Sequence, residues 1–365
     1  MSGRTITVLV LLYNAEKAVP ALVRAVLGQR HPGGLPPEEW LEVIFTEDGS
    51  TDRTLDVLRA ELERAGSPRH VRVLANERNL GLAATMNKAL QTVSTPYVLT
   101  CHCDCLFGRD DYAWRMADLL ERHPDVGAIT GQPELSLDPR PRFAERLNMV
   151  ANLMDVFPAA GQEELVPVGF AEGRCDGFRA AALRSAGRYD ESLRTAGEDQ
   201  ILAARLRRSG YRVCQAPDAK YVLSVSDTQD SVWKIVRKQM LWGMVHPYLL
   251  FREPRILRGS VGADAGRNRR LRSALRASHL AGTAAYLALA GFALAGLPVL
   301  APLLVLAGLG LAKIALYARH VRKVGFSATE LLAFVLLQPP LDLLYAIGVV
   351  RGLAYLVFRP RRALG

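Results

Sequence analysis

His102 and Asp104 stand two residues apart near the end of the run Thr95–Phe107, TPYVLTCHCDCLF. Pro96 and the apolar Tyr97-Val98-Leu99 read as a buried strand. Side chains alternate faces along a strand, so the imidazole and the carboxylate share one face while Cys101, Cys103 and Cys105 share the other. An imidazole beside a carboxylate can hold a divalent cation. Two further acidic stations occur, Glu47-Asp48 in EDGSTD and Glu198-Asp199 in GEDQ. A single carboxylate at a strand end serves as a cap or loop residue, whereas several at successive strand ends make a site. Such sites lie in the crevice beyond the carboxyl ends of the strands of an open α/β sheet. Glu198 and Asp199 open a helical pattern, where the helix dipole favours acidic residues, so capping and site duty are both open to them.

The elements that must carry these residues follow from periodicity. Thr5–Tyr13 is a near-continuous apolar run, as expected of a strand covered on both faces. Val19, Leu22, Val23, Val26 and Leu27 recur at helical spacing. Trp40–Phe45 is a second strand leading into EDGSTD, whose Ser50 or Thr51 would cap a helix over Arg53–Arg64. Val71–Leu74 is a short strand, Leu82–Val93 a helix, and Val126–Gly131 a strand after a helix over Asp111–Arg122. A further helix, Gln200–Arg208, is capped by Gly210. Strand and helix in alternation predict an α/β fold, a doubly wound, mostly parallel sheet flanked by helices.

The composition changes along the chain. Residues 1–230 have the mixed make-up of an α/β domain, 231–277 form an amphipathic and basic linker, and 278–358 turn Leu/Ala/Gly/Val-rich. Stretches 278–297 and 299–318 are each long enough to span a bilayer, which takes about 20 apolar residues. Gly296-Leu297-Pro298 makes a hairpin between them. A third block, 329–350, is interrupted by Gln338-Pro339-Pro340 and Asp342. It reads as kinked or re-entrant, which returns Arg359, Arg361 and Arg362 to the cytosol. Ser231–Phe251 mixes Trp233, Ile235, Val236, Met240 and Trp242 with Lys234, Arg237 and Lys238, and reads as a helix lying at the membrane surface. The net charge of +10 is concentrated beside the apolar segments, at Arg252 to Arg276, Arg319 to Lys323 and Arg359 to Arg362. That pattern marks the cytoplasmic flank of membrane helices and attracts anionic membrane lipids; with no nucleic-acid motif present, nucleic acid is excluded as a partner. No charged leader with a cleavage site precedes the first strand. Three of the 5 cysteines alternate on one strand, where they cannot staple distant loops. They read as packing its back in a reducing compartment rather than as a thiolate metal site.

In their order and spacing, YNAE (Tyr13–Glu16), EDGSTD (Glu47–Asp52), NLGLAATMNKAL (Asn79–Leu90), HCD (His102–Asp104), FRAAAL with GRYDESL, and GEDQILAARLRRSGYRV resemble the family 2 glycosyltransferases of the GT-A fold. The resemblance covers Thr5 to about Gly243, and the apolar C-terminus resembles that of membrane-anchored bacterial members that build surface or exopolysaccharide glycans. It implies an inverting, metal-dependent transferase at the inner (plasma) membrane, multi-pass, with a cytoplasmic catalytic domain. Its partners would be a nucleotide-sugar donor, a lipid-linked or membrane-associated glycan acceptor, and the membrane itself. The resemblance gives Asp48 a contact to the donor's base and places Tyr13, Glu16 and Lys88 around the nucleotide. Asp104, with His102, would hold Mg²⁺ or Mn²⁺ against the donor's phosphates. Asp199 would be the general base, supported by Glu198, and Trp242 would face the acceptor.

The chain departs from the family pattern in several places. His102 replaces the first carboxylate of DxD and would favour Mn²⁺ over Mg²⁺. Leu11-Leu12 stand where a proline is usual, and Met86 where an arginine is common. KQMLW (Lys238–Trp242) keeps only the tryptophan of the QxxRW of processive synthases, which implies addition of single sugars. Two other functions compete: a polyprenyl-phosphate glycosyltransferase, whose anionic acceptor needs no base, and a non-catalytic nucleotide-binding membrane scaffold.

Overall fold

All seven residues of the first apolar run, Ile6–Leu12, are buried, as are all seven of the second strand, Leu41–Glu47. The computed structural model describes residues 5–135, 142–151, 164–193, 196–223, 231–253 and 269–358. Its strands are β1 (Ile6–Leu12), β2 (Leu41–Glu47), β3 (Val71–Ala75), β4 (Tyr97–His102), β5 (Cys105–Phe107), β6 (Val126–Leu135), β7 (Val166–Pro167), β8 (Asp176–Arg179) and β9 (Arg212–Leu223). The helices are α1 (Val19–Leu27), α2 (Pro37–Trp40), α3 (Thr54–Arg64), α4 (Leu82–Leu90), α5 (Tyr112–Arg122), α6 (Phe143–Ala151), α7 (Ala180–Ala186), α8 (Glu198–Arg208) and α9 (Val232–Arg252). Three long apolar helices follow: α10 (Arg269–Leu294), α11 (Leu300–Val324) and α12 (Ala328–Phe358).

The sheet order is β3-β2-β1-β4-β8-β6-β9-β5, with β7 against β9. Strand–helix alternation gives the parallel half, in which β1 pairs with β2 and β4, and β2 with β3. The other half is mixed, because β8 inserts antiparallel between β4 and β6. One face of the sheet is packed by α1 and α5 around Leu22, Val26, Met116 and Leu120, the other by α4, α7 and α8 around Met86, Leu183, Leu202 and Leu206.

Two local expectations change. The run TPYVLTCHCDCLF is not one strand: β4 stops at His102, Cys103 and Asp104 form a turn, and β5 pairs antiparallel with β9. The turn, not face alternation, therefore brings His102 and Asp104 together. The first turn of α3 is served by Asp52 rather than Ser50 or Thr51. Its Oδ1 accepts from the Thr54 N–H at 3.0 Å, while Ser50 and Thr51 are drawn off to Asn14.

Helix α9 begins at Ser231, whose hydroxyl accepts from the Lys234 N–H. It does not simply lie on a surface. It packs backbone to backbone against α12, so a Cβ at Gly243 would fall 2.1 Å from the Tyr345 carbonyl oxygen, and one at Gly348 2.2 Å from that of Met240. Small residues permit this approach, a device common between membrane helices. Trp233 and Phe251, near its two ends, remain exposed.

Helices α10, α11 and α12 are each long and apolar enough to cross a membrane. The expected interruption of the third block is absent: α12 runs 31 residues without a break through Pro339 and Pro340. Polar groups on either side support it there. Gln338 donates to the Phe334 carbonyl at 3.1 Å and the Tyr286 hydroxyl to that of Pro339 at 2.9 Å. The basic residues Arg359, Arg361 and Arg362 lie outside the described residues, as does residue 230 at the first expected boundary; the second, expected between 277 and 278, falls inside α10, which runs from Arg269 to Leu294.

Candidate active site

The ends of β1, β2 and β4 meet at one edge of the sheet. Turns there are laced by short-range hydrogen bonds. Asn14 N–H donates to the Ser50 hydroxyl at 3.0 Å, Ala15 N–H to that of Thr54 at 2.7 Å, and Glu16 N–H to Asp52 Oδ2 at 3.3 Å. Glu16 in turn accepts from the Arg53 N–H at 3.2 Å. Tyr13 projects from this edge, 42% exposed.

Asp48 is buried, and four donors converge on it: Asn76 Nδ2 at 3.0 Å, Leu80 N–H at 2.8 Å and the Thr85 hydroxyl at 2.6 Å on Oδ1, and Gly81 N–H at 3.0 Å on Oδ2. A carboxylate offers about four lone-pair directions, and three of these bonds crowd onto Oδ1. Asp48 thus fixes the loop before α4 to the end of β2, and only Oδ2 retains an open direction. Lys88 joins the same network, its ammonium donating to Asn76 Oδ1 at 2.7 Å.

Asp104 accepts the weak Cys105 S–H at 3.4 Å, and no described cation lies within ion-pair distance of it. Around it gather His102, Arg174 and Lys238. Burial holds His102 below the usual histidine range and Arg174 adds to this, while Asp104 opposes it. A neutral imidazole is the ligating form. Burial also lowers Lys238 to about 8, with Arg174 adding and Asp104 opposing. Burial pushes the Cys103 and Cys105 thiols up to about 12, away from the thiolate. Cys101, Cys105 and Cys175 are wholly buried in the core, as inert packing residues should be. Among the described residues, no group of three or more His, Cys, Asp or Glu side chains is arranged to hold a metal ion. Among the described residues, His102 and Asp104 are the side chains placed to hold a cation, and a bound phosphate would have to complete its shell.

Glu198 and Asp199 form the first turn of α8. Gly197, at φ +86°, opens it, and a Cβ there would lie 2.9 Å from both Val245 and Leu249 of α9. The acidic turn is therefore seated directly on α9. Its other neighbour is the loop 172–176. A Cβ at Gly173 would come 3.6 Å from Asp199 Cβ and 4.0 Å from Glu198 Oε1. Burial raises Glu198, and one of its oxygens has no partner. Burial and the adjacent Glu198 raise Asp199.

The same loop reaches the Asp104 side. Arg174 bonds Glu172 Oε2 at 3.2 Å, and the Tyr221 hydroxyl bonds it at 3.3 Å. Arg174 interacts with Asp104, and Glu172 with Asp199. The two acidic stations are thus joined through one short loop. Trp242 sits one turn after Lys238 on α9, its ring 5.7 Å from that of His246, whose Nδ1 lies 2.6 Å from the Tyr345 hydroxyl. Three residues of this neighbourhood carried no sequence expectation: Glu172, Arg174 and Asp176. The available signal was a carboxylate entering an otherwise buried strand, Cys175-Asp176-Gly177-Phe178.

Residues 7–187 match the family described as Glycosyl transferase family 2. The chain therefore carries a family 2 glycosyltransferase domain, on a curled mixed sheet of the GT-A kind. It is 24% identical over 233 residues to poly-beta-1,6-N-acetyl-D-glucosamine synthase of Staphylococcus epidermidis, covering 63% of this chain and 52% of the relative. The synthase of the same name from Staphylococcus aureus (strain COL) is 23% identical over 233 residues, with the same coverage. The chain spans about half the length of these curated relatives. Among solved structures, the mannosyltransferase PcManGT from Pyrobaculum calidifontis, in complex with GDP-Man and Mn²⁺, is similar in fold with a TM-score of 0.52. The match has 17% identity and covers 96% of this chain and 87% of that one.

Proposed function

We propose that the protein is an inverting glycosyltransferase that moves a sugar from a nucleotide-sugar donor to a glycan acceptor held at the membrane. The observation that carries this reading is the joining of Asp104 to Glu198-Asp199 through the loop 172–176. The donor lies across the ends of β1, β2 and β4. Tyr13 and Glu16 line the nucleotide, Asp48 reads the base through Oδ2, and Lys88 steadies that corner through Asn76. His102 and Asp104 are the residues that would hold Mn²⁺ or Mg²⁺ beside the donor's diphosphate. Such a cation, when bound, neutralises charge on the leaving diphosphate. Arg174 and Lys238 add positive charge to the same place.

Asp199 accepts the proton of the acceptor hydroxyl as that oxygen attacks the anomeric carbon, and Glu198 supports it. A single displacement inverts the configuration. Removing a positioned base costs about 10²–10⁴ in rate. The three apolar helices cross the membrane with the catalytic domain on the cytoplasmic side, and they confine the enzyme to the plane of its lipid-linked acceptor. The curated relatives are named as synthases of a polymer. At Lys238–Trp242 this chain lacks the arginine that marks processive members, so it adds single sugars.

The test is nucleotide release and sugar transfer from a panel of nucleotide sugars in detergent, with and without Mn²⁺. Asp104→Asn and Asp199→Asn accompany the full-length protein. Metal-dependent release that both substitutions abolish supports the reading. Release unaffected by Asp199→Asn points to an anionic phosphate acceptor, and no release with any donor refutes enzymatic function.

A further inference from the structure

Asp176 is wholly buried, at 0% exposure. Its Oδ2 accepts from the Gly173 N–H at 2.6 Å and the Arg174 N–H at 3.2 Å, which shapes the loop that reaches both acidic stations. Its Oδ1 has no partner. Asp176 lines a small cavity together with Asp199, Gly173, Tyr189, Leu202 and Leu206. The cavity has room for about one water molecule. Two carboxylates lining one such space repel each other when both are ionised, which favours a proton on one of them.

We infer that Asp176 is a positioning residue for Asp199: as the neutral acid, it donates from Oδ1 across this cavity, directly or through one water, and so keeps Asp199 ionised and aimed. Burial raises both carboxyls, Asp199 well above the usual carboxylate range, and two features of the fold place the proton on Asp176. Asp176 is the more deeply buried of the pair. Burial raises it to about 7 against a hydrogen bond from the Thr130 side chain, with Glu172 adding and the loop amides opposing. Asp199 sits in the first turn of α8, where the helix dipole and the Gln200 N–H at 2.7 Å favour the anion. The other titratable groups that interact with Asp176 are Glu172 from the loop, Tyr189, and Tyr112 from α5. The cation two residues away, the Arg174 guanidinium, is paired with Glu172. During transfer the acceptor's O–H bond breaks and its proton passes to Asp199, while Asp176 retains its own. Asp199 then releases the proton to water.

This inference rests on Asp199 being the base, which Asp199→Asn tests separately. The substitution Asp176→Asn imitates the neutral acid: the amide oxygen it introduces accepts the two loop N–H groups, and the NH₂ points into the cavity. Asp176→Asn and Asp176→Leu are compared with the full-length protein in detergent. In the unsubstituted enzyme, activity falls above pH 7 as Asp176 ionises beside Asp199. Asp176→Asn keeps neutral-pH turnover and loses that alkaline fall. Asp176→Leu, with no donor, loses about 10–100-fold in kcat, as expected when a hydrogen bond to a charged group goes.

A second readout needs no turnover. An acid held near 7 when folded and near 3.8 when unfolded binds more protons folded in between, so its contribution to stability declines as pH rises from about 4 to 7. Asp176→Asn removes this slope, and its Tm exceeds that of the parent at about pH 8 but not at about pH 5. An unchanged alkaline limb in Asp176→Asn, equal activity of the Leu and Asn variants, or a Tm difference independent of pH would each overturn the inference.

Discussion

Lys313 of α11 is 2% exposed and forms an ion pair with Asp342 of α12. His279 of α10 completes the group, its Nδ1 3.0 Å from the Lys313 ammonium and 3.3 Å from the Asp342 carboxylate. One cluster thus ties together all three apolar helices. Consider Lys313→Met. It strands the Asp342 carboxylate, 14% exposed, with only His279 left to bond it. Breaking a buried pair on one side costs about 3–5 kcal/mol, whereas replacing both partners by apolar residues is often neutral. The His279 bond offsets part of the loss, so about 2–4 kcal/mol is expected for either Lys313→Met or Asp342→Leu. The double variant should stay within about 1 kcal/mol of the parent. The coupling energy from the full cycle is then about 3 kcal/mol or more. This far exceeds the roughly 0.6 kcal/mol average for hydrogen bonds between membrane helices. Reversible unfolding of the full-length protein in mixed micelles measures all four corners. A coupling near that average would refute the reasoning, because it would mean that water or lipid headgroups already solvate the pair.

Asp104→Asn should reduce Mn²⁺-dependent nucleotide release by about 10² or more, with little change in Tm, because no described ion pair depends on this carboxylate; steady-state kinetics across a metal titration decides it. Lys238→Met should raise the donor KM more than it lowers kcat, with Lys238→Arg restoring it, since the ammonium stands beside Asp104 and Arg174 rather than at the base; an unaltered KM would remove Lys238 from the diphosphate site. Gly348→Leu drives a side chain into the Met240 backbone and should cost about 1–3 kcal/mol by overpacking, or separate α9 from α12 altogether; thermal unfolding in detergent reads it. Products from a single acceptor should be one sugar longer than the substrate, and a ladder of sizes by mass spectrometry would show that the loss of arginine before Trp242 does not end processivity.

The pattern of residue types was enough to place much of this molecule. Buried runs such as Ile6–Leu12 and Leu41–Glu47 read as strands because a strand covered on both faces has no polar side. Glu47, Asp48, Asp104 and the Glu198-Asp199 pair read as a site because their spacing follows the strand and helix ends. The two long apolar stretches and their Gly296 hairpin were legible from length and composition alone. Where the sequence misled, the reason was a contact between distant segments. Alternation could not foresee that β4 would stop at His102, since the break is imposed by β5 pairing with β9. Helical periodicity could not tell a surface helix from one pressed on α12, since Gly243 and Gly348 lie more than a hundred residues apart. Nor could proline spacing show that α12 continues through Pro339 and Pro340, since neighbouring helices pack against it there. Asp176 is the plainest case: in sequence it is one acid before a glycine, and only the fold sets it beside Asp199 at a shared cavity. Residue chemistry and period are local properties, so the chain declares its elements and its acids. Burial, pairing and proton sharing are set by what packs opposite, and these arise only when the fold closes.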